Sequence, residues 1–126
     1  MNDLDMHVEI GKLWEKEDTA RSLSAYQDAR RISEQSATGV DPRIINNIAV
    51  LGHLDGKIVE SRALYEEALG ILANKWTSHE NMDGMSTTIL YNLARVYEDQ
   101  DETTLAKDAY DKLLGRHPEY VDGGHT

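Results

Sequence analysis

The sequence predicts an all-α fold of about three helix–turn–helix units, with six main helices in 126 residues. Three observations lead to this prediction. Apolar residues recur at the helical period, and short polar turns join such stretches in pairs. In addition, a triple consisting of a small residue, a tyrosine and a small or aliphatic residue occurs three times at the same offsets. The triples are Ser22, Tyr26 and Ala29; Ser61, Tyr65 and Ala68; and Ala106, Tyr110 and Leu113.

The third unit shows the pattern most clearly. Its first helix places Leu93, Ala94 and Tyr97 on one face, at the spacing of an amphipathic helix. We expect Ser86 to cap that helix, because a serine hydroxyl can accept a hydrogen bond from a free N–H of the first turn. The second helix carries the third triple, and Pro118 marks its end.

The second unit repeats this arrangement. Ile48 and Ala49 stand where the third unit has its leucine and alanine, and Asp41-Pro42 precedes them as a strong helix start. Gly56 lies in the turn between the two helices, at the place that Asp101 takes in the third unit.

The first unit follows the same order with one difference. Gly11 takes the place of Ala94 and Trp14 that of Tyr97, but the turn around Glu17-Asp18 is one residue shorter. We place the units at about 4–32, 42–74 and 87–118, with an insertion at about 75–86 and a tail at 119–126.

This spacing resembles that of the tetratricopeptide repeat, a helix–turn–helix unit of about 34 residues. The resemblance implies a right-handed α–α superhelix in which residues 1–126 form one domain. Small residues at fixed places would let the paired helices approach closely, and a large aromatic residue would fill the groove between them. Leu113 and Gly52 depart from the family pattern, in which a small residue and an aromatic residue are usual at these places.

A more specific resemblance extends from about Leu4 to Asp122. The segments SLSAYQDARRI, NNIAVL, TTILYNLARVYED and AYDKLLGRHPEYVD look like the tetratricopeptide scaffold subunits of the RNA polymerase II-associated factor (PAF) complex. The resemblance implies a nuclear protein that holds other subunits together and supports elongation and histone modification. It also implies that the chain is a piece of a longer repeat array. Exposed repeat ends would then favour self-association.

Composition narrows the classes of function. The net charge is −10, so we expect no direct contact with nucleic acid or an anionic membrane. There is no cysteine and no apolar run long enough to span a bilayer. The five histidines show no metal-ligand spacing, and no phosphate loop or nucleophile–base motif occurs. The sequence therefore predicts no catalytic residue, no metal and no cofactor.

A stack of helical hairpins offers a concave groove lined by the first helix of each unit. Asn47 and Asn92 occupy equivalent places there. Each amide could bind the backbone of a peptide, or could instead bond to neighbouring helices. Thr88 and Asn92 stand where chaperone-binding relatives carry basic residues, which argues against binding of a C-terminal carboxylate. The groove residues predicted from the repeat pattern are Val8, Glu9, Lys12, Arg43, Asn46, Asn47, Val50, His53, Thr88, Tyr91, Asn92, Arg95 and Glu98.

Two functional hypotheses follow. The first is a protein–protein scaffold whose partners are other subunits of a multiprotein complex. The second is a tetratricopeptide binding or regulatory module attached to another functional domain, since such repeats are often appended to other activities.

Overall fold

The computed structural model describes residues 3–37, 39–75 and 79–116. Within these ranges the chain forms six α-helices and no strand, as the sequence predicts. The helices are α1 (Asp3–Trp14), α2 (Thr19–Glu34), α3 (Pro42–Leu54), α4 (Ile58–Lys75), α5 (His79–Asp99) and α6 (Thr103–Arg116). None of these helices combines the length and apolarity that crossing a membrane requires.

The helices form three consecutive antiparallel pairs, which we call hairpins 1, 2 and 3. Hairpin 1 is α1 with α2, hairpin 2 is α3 with α4, and hairpin 3 is α5 with α6. Successive hairpins pack through α2 against α3 and through α4 against α5, while α3 also touches α5. The result is the helical repeat stack that the recurring triples predict.

The prediction that Ser86 caps a helix is wrong. Helix α5 begins at His79, so Ser86 lies inside the helix and its side chain is buried. The N-terminal turns of α5 therefore fall within the region 75–86 that the sequence pattern assigned to an insertion. Trp76, Pro118 and the tail at 119–126 lie outside the described residues.

The predicted start of α3 is confirmed. The carboxylate of Asp41 accepts a hydrogen bond from the backbone N–H of Arg43 at 2.9 Å, and Pro42 occupies the first helical turn. Helix α2 starts in the same way, because the carboxylate of Asp18 accepts from the N–H of Arg21 at 3.1 Å. Each aspartate thus satisfies an N–H that has no partner within its own helix.

Two of the three hairpin turns have the same geometry. Gly56 and Asp101 both take a left-handed conformation, with φ of 81° and 58°. The next N–H reaches back to the last turn of the preceding helix at 2.8 Å, from Lys57 to the carbonyl of Gly52 and from Glu102 to that of Tyr97. This is the Schellman arrangement that ends many helices. The equivalence of Gly56 and Asp101 in the sequence therefore has a backbone cause.

The paired helices approach each other at the small residues. The hydroxyl of Ser22 donates to the carbonyl of Gly11 at 2.7 Å, and that of Ser61 donates to the carbonyl of Ala49 at 2.8 Å. These bonds fix the repeat equivalence, and they span eleven residues in hairpin 1 and twelve in hairpin 2. The first turn is therefore one residue shorter, as predicted. In hairpin 3 the buried Ala106 takes the place of the serine.

Two apolar clusters form the core. One lies at the junction of hairpins 1 and 2 around Tyr26 and Ile48, and the larger one runs through hairpins 2 and 3 around Tyr65 and Leu93. Tyr110 is only partly buried. The predicted repeat residues that the structure buries are Ser22, Tyr26, Ala29, Ile48, Ala49, Ser61, Tyr65, Ala68, Leu93, Ala94, Tyr97 and Ala106.

Candidate functional site

A groove of about 600 Å³ runs across the first helices of all three hairpins. It is the concave surface expected of a helical repeat stack, because α1, α3 and α5 all contribute to its wall. Its lining comprises Leu4, Asp5, Val8, Glu9, Lys12, Asp41, Arg43, Ile44, Asn46, Asn47, Met85, Thr88 and Ile89.

The groove brings together part of the predicted set. Val8, Glu9 and Lys12 line it from α1, as do Arg43, Asn46 and Asn47 from α3 and Thr88 from α5. The remaining predicted residues follow these in the sequence of α3 and α5 and are not part of the lining. They are Val50, His53, Tyr91, Asn92, Arg95 and Glu98.

The groove combines apolar and charged surfaces. Leu4, Val8 and Ile44 belong to or pack against the core cluster of hairpins 1 and 2, so they present apolar surface that the core already holds in place. Ion pairs lie beside it. Arg43 contacts the carboxylate of Asp41 at 2.7 Å, and the Lys12 ammonium lies 3.5 Å from Glu9. Such a mixture suits a polypeptide with both apolar and polar side chains.

The two equivalent asparagines differ in their partners. The amide of Asn92 donates to the side-chain oxygen of Asn46 at 3.3 Å, which joins α5 to α3. The structure therefore supports the neighbour-bonding alternative for Asn92. Asn47 lines the groove, and no hydrogen bond of its side chain is found among the described residues. Its donor and acceptor atoms remain available to a bound chain.

Beyond the groove, polar side chains connect hairpins 2 and 3. The imidazole of His53 lies 2.6 Å from the carboxylate of Asp99. Arg62 donates to the side-chain oxygen of Gln100 at 3.0 Å and also pairs with the carboxylate of Glu66. His53 thus belongs to a structural contact between hairpins, whereas the sequence pattern assigned it to the groove.

A tyrosine hydroxyl completes this connection. Tyr97 donates to the carboxylate of Glu66 at 2.8 Å, while the guanidinium of Arg62 lies 5.0 Å from the centre of its ring. Burial and then this bond raise the pKa of Tyr97 to about 12. Both effects favour the protonated hydroxyl, so Tyr97 acts here as a hydrogen-bond donor.

Tyr91 of α5 and Tyr110 of α6 form an aromatic pair within hairpin 3. Their rings meet edge to face with centres 6.5 Å apart, and the guanidinium of Arg95 lies 6.0 Å from the ring of Tyr91. Burial and a hydrogen bond to Glu98 raise the pKa of Tyr110. Tyr91 stays half exposed. Tyr91, which the sequence pattern grouped with the groove, is not among the residues that line it.

The described residues contain no cluster of three His, Asp or Glu side chains that could hold a metal ion. The hydroxyl group of Tyr26, whose ring is buried, is bonded to the carboxylate of Glu15. Its raised pKa follows from burial first and from that carboxylate second, so the group is held as a structural donor.

Sequence reasoning missed several lining residues. Ile44 and Ile89 were not assigned to the groove, yet each is buried in the core and also lines the groove. Leu4 and Met85 were not assigned to the groove either. Met85 lies in the part of α5 that the sequence pattern assigned to the insertion at about 75–86. A helical period extended back from Ile89 would have placed Met85 on the same face.

No family model matches the sequence. A relative is found in Schizosaccharomyces pombe, where "Tetratricopeptide repeat protein 1" is 35% identical to this chain over 120 residues. The match covers 95% of this chain and 11% of that protein. The chain therefore spans about a tenth of the length of the relative, and the similarity includes all three hairpins.

Proposed function

Because the chain is a tetratricopeptide-repeat protein, we propose that it acts as a protein–protein interaction module and that its concave groove holds an extended segment of a partner. The groove of about 600 Å³ across three hairpins is the observation that supports this proposal most directly. Its apolar surface can bury side chains, while Asn47 can bind a peptide backbone. Function then depends on binding, without a catalytic group.

The groove can be tested with peptides. Asn47→Arg and Thr88→Arg each place a long charged side chain in the groove without entering the core, since neither residue is buried. Ala63→Arg is the matched control, because Ala63 is exposed on α4, outside the groove. Peptides selected from a display library on the unmodified chain should bind the two groove variants at least about tenfold more weakly. Equal binding by all variants would reject the groove as the site.

A finer proposal concerns the setting. The resemblance to the scaffold subunits of the PAF complex favours a nuclear role in a complex that travels with RNA polymerase II. The acidic chain would then join protein subunits, with no direct hold on nucleic acid. Purification of the tagged parent protein should recover polymerase subunits, and imaging should place it in the nucleus. Recovery of an unrelated enzyme in stable stoichiometry, or a catalytic domain in the same polypeptide, would favour a regulatory tetratricopeptide module instead.

A further inference from the structure

The first helix of every hairpin carries three apolar side chains at positions i, i+4 and i+7. These positions are equivalent, because the contacts of Ser22 with Gly11 and of Ser61 with Ala49 align the hairpins. In α3 and α5 all three are at most 7% exposed, and they are Ile44, Ile48 and Leu51, and Ile89, Leu93 and Val96. In α1 they form what we call the α1 triad: Met6, Ile10 and Leu13, exposed by 42%, 36% and 74%.

The structure shows what covers such a triad. The triad of α3 lies in one cluster with Tyr26 and Ala29 of α2, and that of α5 lies in one cluster with Tyr65, Ala68 and Leu72 of α4. In both cases the cover is the second helix of the preceding hairpin. The equivalent surface of α6 begins with Tyr110, which is partly exposed where Tyr65 is 1% exposed.

We propose that the α1 triad binds hairpin 3 of a second copy of this chain, so that copies stack head to tail. The contact would continue the internal junctions of the stack, with α6 of one copy in the place that α4 takes against α5. The described residues include both halves of this contact, one on α1 and one on hairpin 3. Burying the α1 triad supplies the apolar part.

Charges at the two ends also match. In the junction of hairpins 2 and 3, His53 contacts Asp99 at 2.6 Å. Counting on from the aligned helices, the corresponding positions are Glu98 at the end of α5 and Lys16 in the turn that follows α1. Glu98 and Lys16 carry opposite charges, so this pair is attractive. Both residues are exposed, so their side chains can reach a partner without disturbing the core.

The Arg62 contacts can be carried over in the same way. Arg62 donates to Gln100 at 3.0 Å, and the corresponding positions are Lys107 on α6 and, counting on from α1 into its turn, Glu17, which are of opposite charge. Two further internal bonds also have compatible equivalents. Trp14 takes the position of Tyr97, and Asp111 takes that of Glu66. The indole N–H of Trp14 can therefore donate to the carboxylate of Asp111.

Glu9 takes the position of Asn92, and Tyr91 takes that of Asn46. The hydroxyl of Tyr91 can therefore donate to the carboxylate of Glu9. These four polar contacts of the internal junction therefore each have a complementary pair at the proposed one. This agreement favours a second copy over an unrelated apolar partner. Because the two faces differ, the contact is heterologous, and it extends into chains of copies unless the rotation closes a ring.

Sedimentation of the 126-residue chain tests the proposal. The average mass should rise with concentration from the micromolar to the millimolar range. Leu13→Lys should weaken association by at least about tenfold, because it places a charge in the apolar contact. Leu54→Lys is the matched control, since Leu54 is 79% exposed but lies outside the triad, and it should associate like the unmodified chain. A monomer mass at every concentration would overturn the proposal. A hairpin of different sequence would then be the partner that covers the α1 triad.

A mixing experiment distinguishes head-to-tail stacking from contact between two triads. Tyr91→Asp combined with Lys107→Glu blocks the hairpin 3 face, while Leu13→Lys blocks the α1 face. Each variant alone should remain monomeric, and their mixture should give a one-to-one dimer. Self-association of the variant blocked at hairpin 3 would overturn the proposal in favour of a symmetric triad contact. The double variant Lys16→Glu with Glu98→Lys should recover the association that either single change weakens.

Discussion

Hairpin 1 and the other two hairpins reach the same fold by different means. Hairpins 2 and 3 turn through a left-handed residue, Gly56 or Asp101, whereas the shorter turn of hairpin 1 has no left-handed residue. Hairpins 2 and 3 pack alanine between their helices, but hairpin 1 packs Gly11 directly beneath the ring of Tyr26. The helix pairing of hairpin 1 thus depends on the close approach of Gly11 to Tyr26, whereas that of hairpins 2 and 3 depends on a left-handed turn residue.

The junctions differ as well. Hairpins 2 and 3 share a large apolar cluster and several side-chain hydrogen bonds, including those of His53 and Tyr97. The junction of hairpins 1 and 2 has a smaller cluster with an ion pair of Arg30 and Glu67 at 2.7 Å beside it. Apolar repeat positions thus form both junctions, and each junction adds polar pairs of its own beside the apolar cluster.

The largest expected effect contrasts equivalent positions of the triads. Ile48→Ala should lower the free energy of unfolding by about 2–4 kcal/mol, because it leaves a cavity between hairpins 1 and 2. Met6→Ala occupies a triad position of hairpin 1 and should change stability by no more than about 0.5 kcal/mol when the chain is monomeric. Urea unfolding measures both. Equal losses would mean that a contact within the monomer already covers α1.

A second contrast separates two glycines. A Cβ at position 11 would lie 2.5 Å from the ring of Tyr26, so Gly11→Ala should cost about 1–3 kcal/mol by overpacking. Gly70 lies in α4 with nothing within 4 Å of an added Cβ, and Gly70→Ala should stabilise the chain by about 0.5–1 kcal/mol. Thermal unfolding distinguishes the two. A stabilised Gly11→Ala would show that hairpin 1 tolerates a wider helix spacing.

The polar junction can be tested through Tyr97. Tyr97→Phe removes a hydrogen bond to Glu66 and should cost about 1 kcal/mol. Because the folded state raises the pKa of this hydroxyl from 10.0 to about 12, its contribution is complete below pH 10 and is lost as the pH rises towards 12. Urea titrations across this range should show a shallower loss of stability for Tyr97→Phe. Tyr91→Phe, at an exposed ring, is the control, and equal slopes for both variants would contradict the prediction.

The smallest expected effect concerns the turns. Asp101 is the one residue other than glycine with positive φ in the described ranges. Asp101→Gly should stabilise hairpin 3 by up to about 1 kcal/mol, and Gly56→Ala should destabilise hairpin 2 by a similar amount. Calorimetry of each variant would measure the shift in Tm. A loss of stability in Asp101→Gly would indicate that the aspartate side chain contributes more than the backbone strain costs.

Most of the fold could be predicted from the sequence because the repeat relies on local patterns. Small residues, tyrosines and turn residues recur at fixed offsets, and each offset corresponds to one contact, such as Ser61 with Ala49. The start of α5 could not be predicted in this way. Ser86 has the chemistry of a helix cap, but its buried position inside α5 satisfies a tertiary requirement that local propensity does not contain.

The candidate site was predictable in part. The repeat register places Asn47 and Thr88 on the first helices, and both line the groove. The register does not reveal which side chains bond to each other across hairpins. His53 and Asp99 are 46 residues apart, and Asn46 and Asn92 are separated by the same distance in sequence. Only the stacking of hairpins 2 and 3 brings these partners together.

If the groove across α1, α3 and α5 holds an extended segment as proposed, its length sets how many partner residues it contacts. Each hairpin contributes one first helix to the wall, and the touching helices α3 and α5 are expected to lie roughly 10 Å apart. An extended polypeptide covers this distance with about three residues. Every added hairpin would therefore lengthen the recognised segment by about three residues, so the number of repeats determines how much partner sequence is measured.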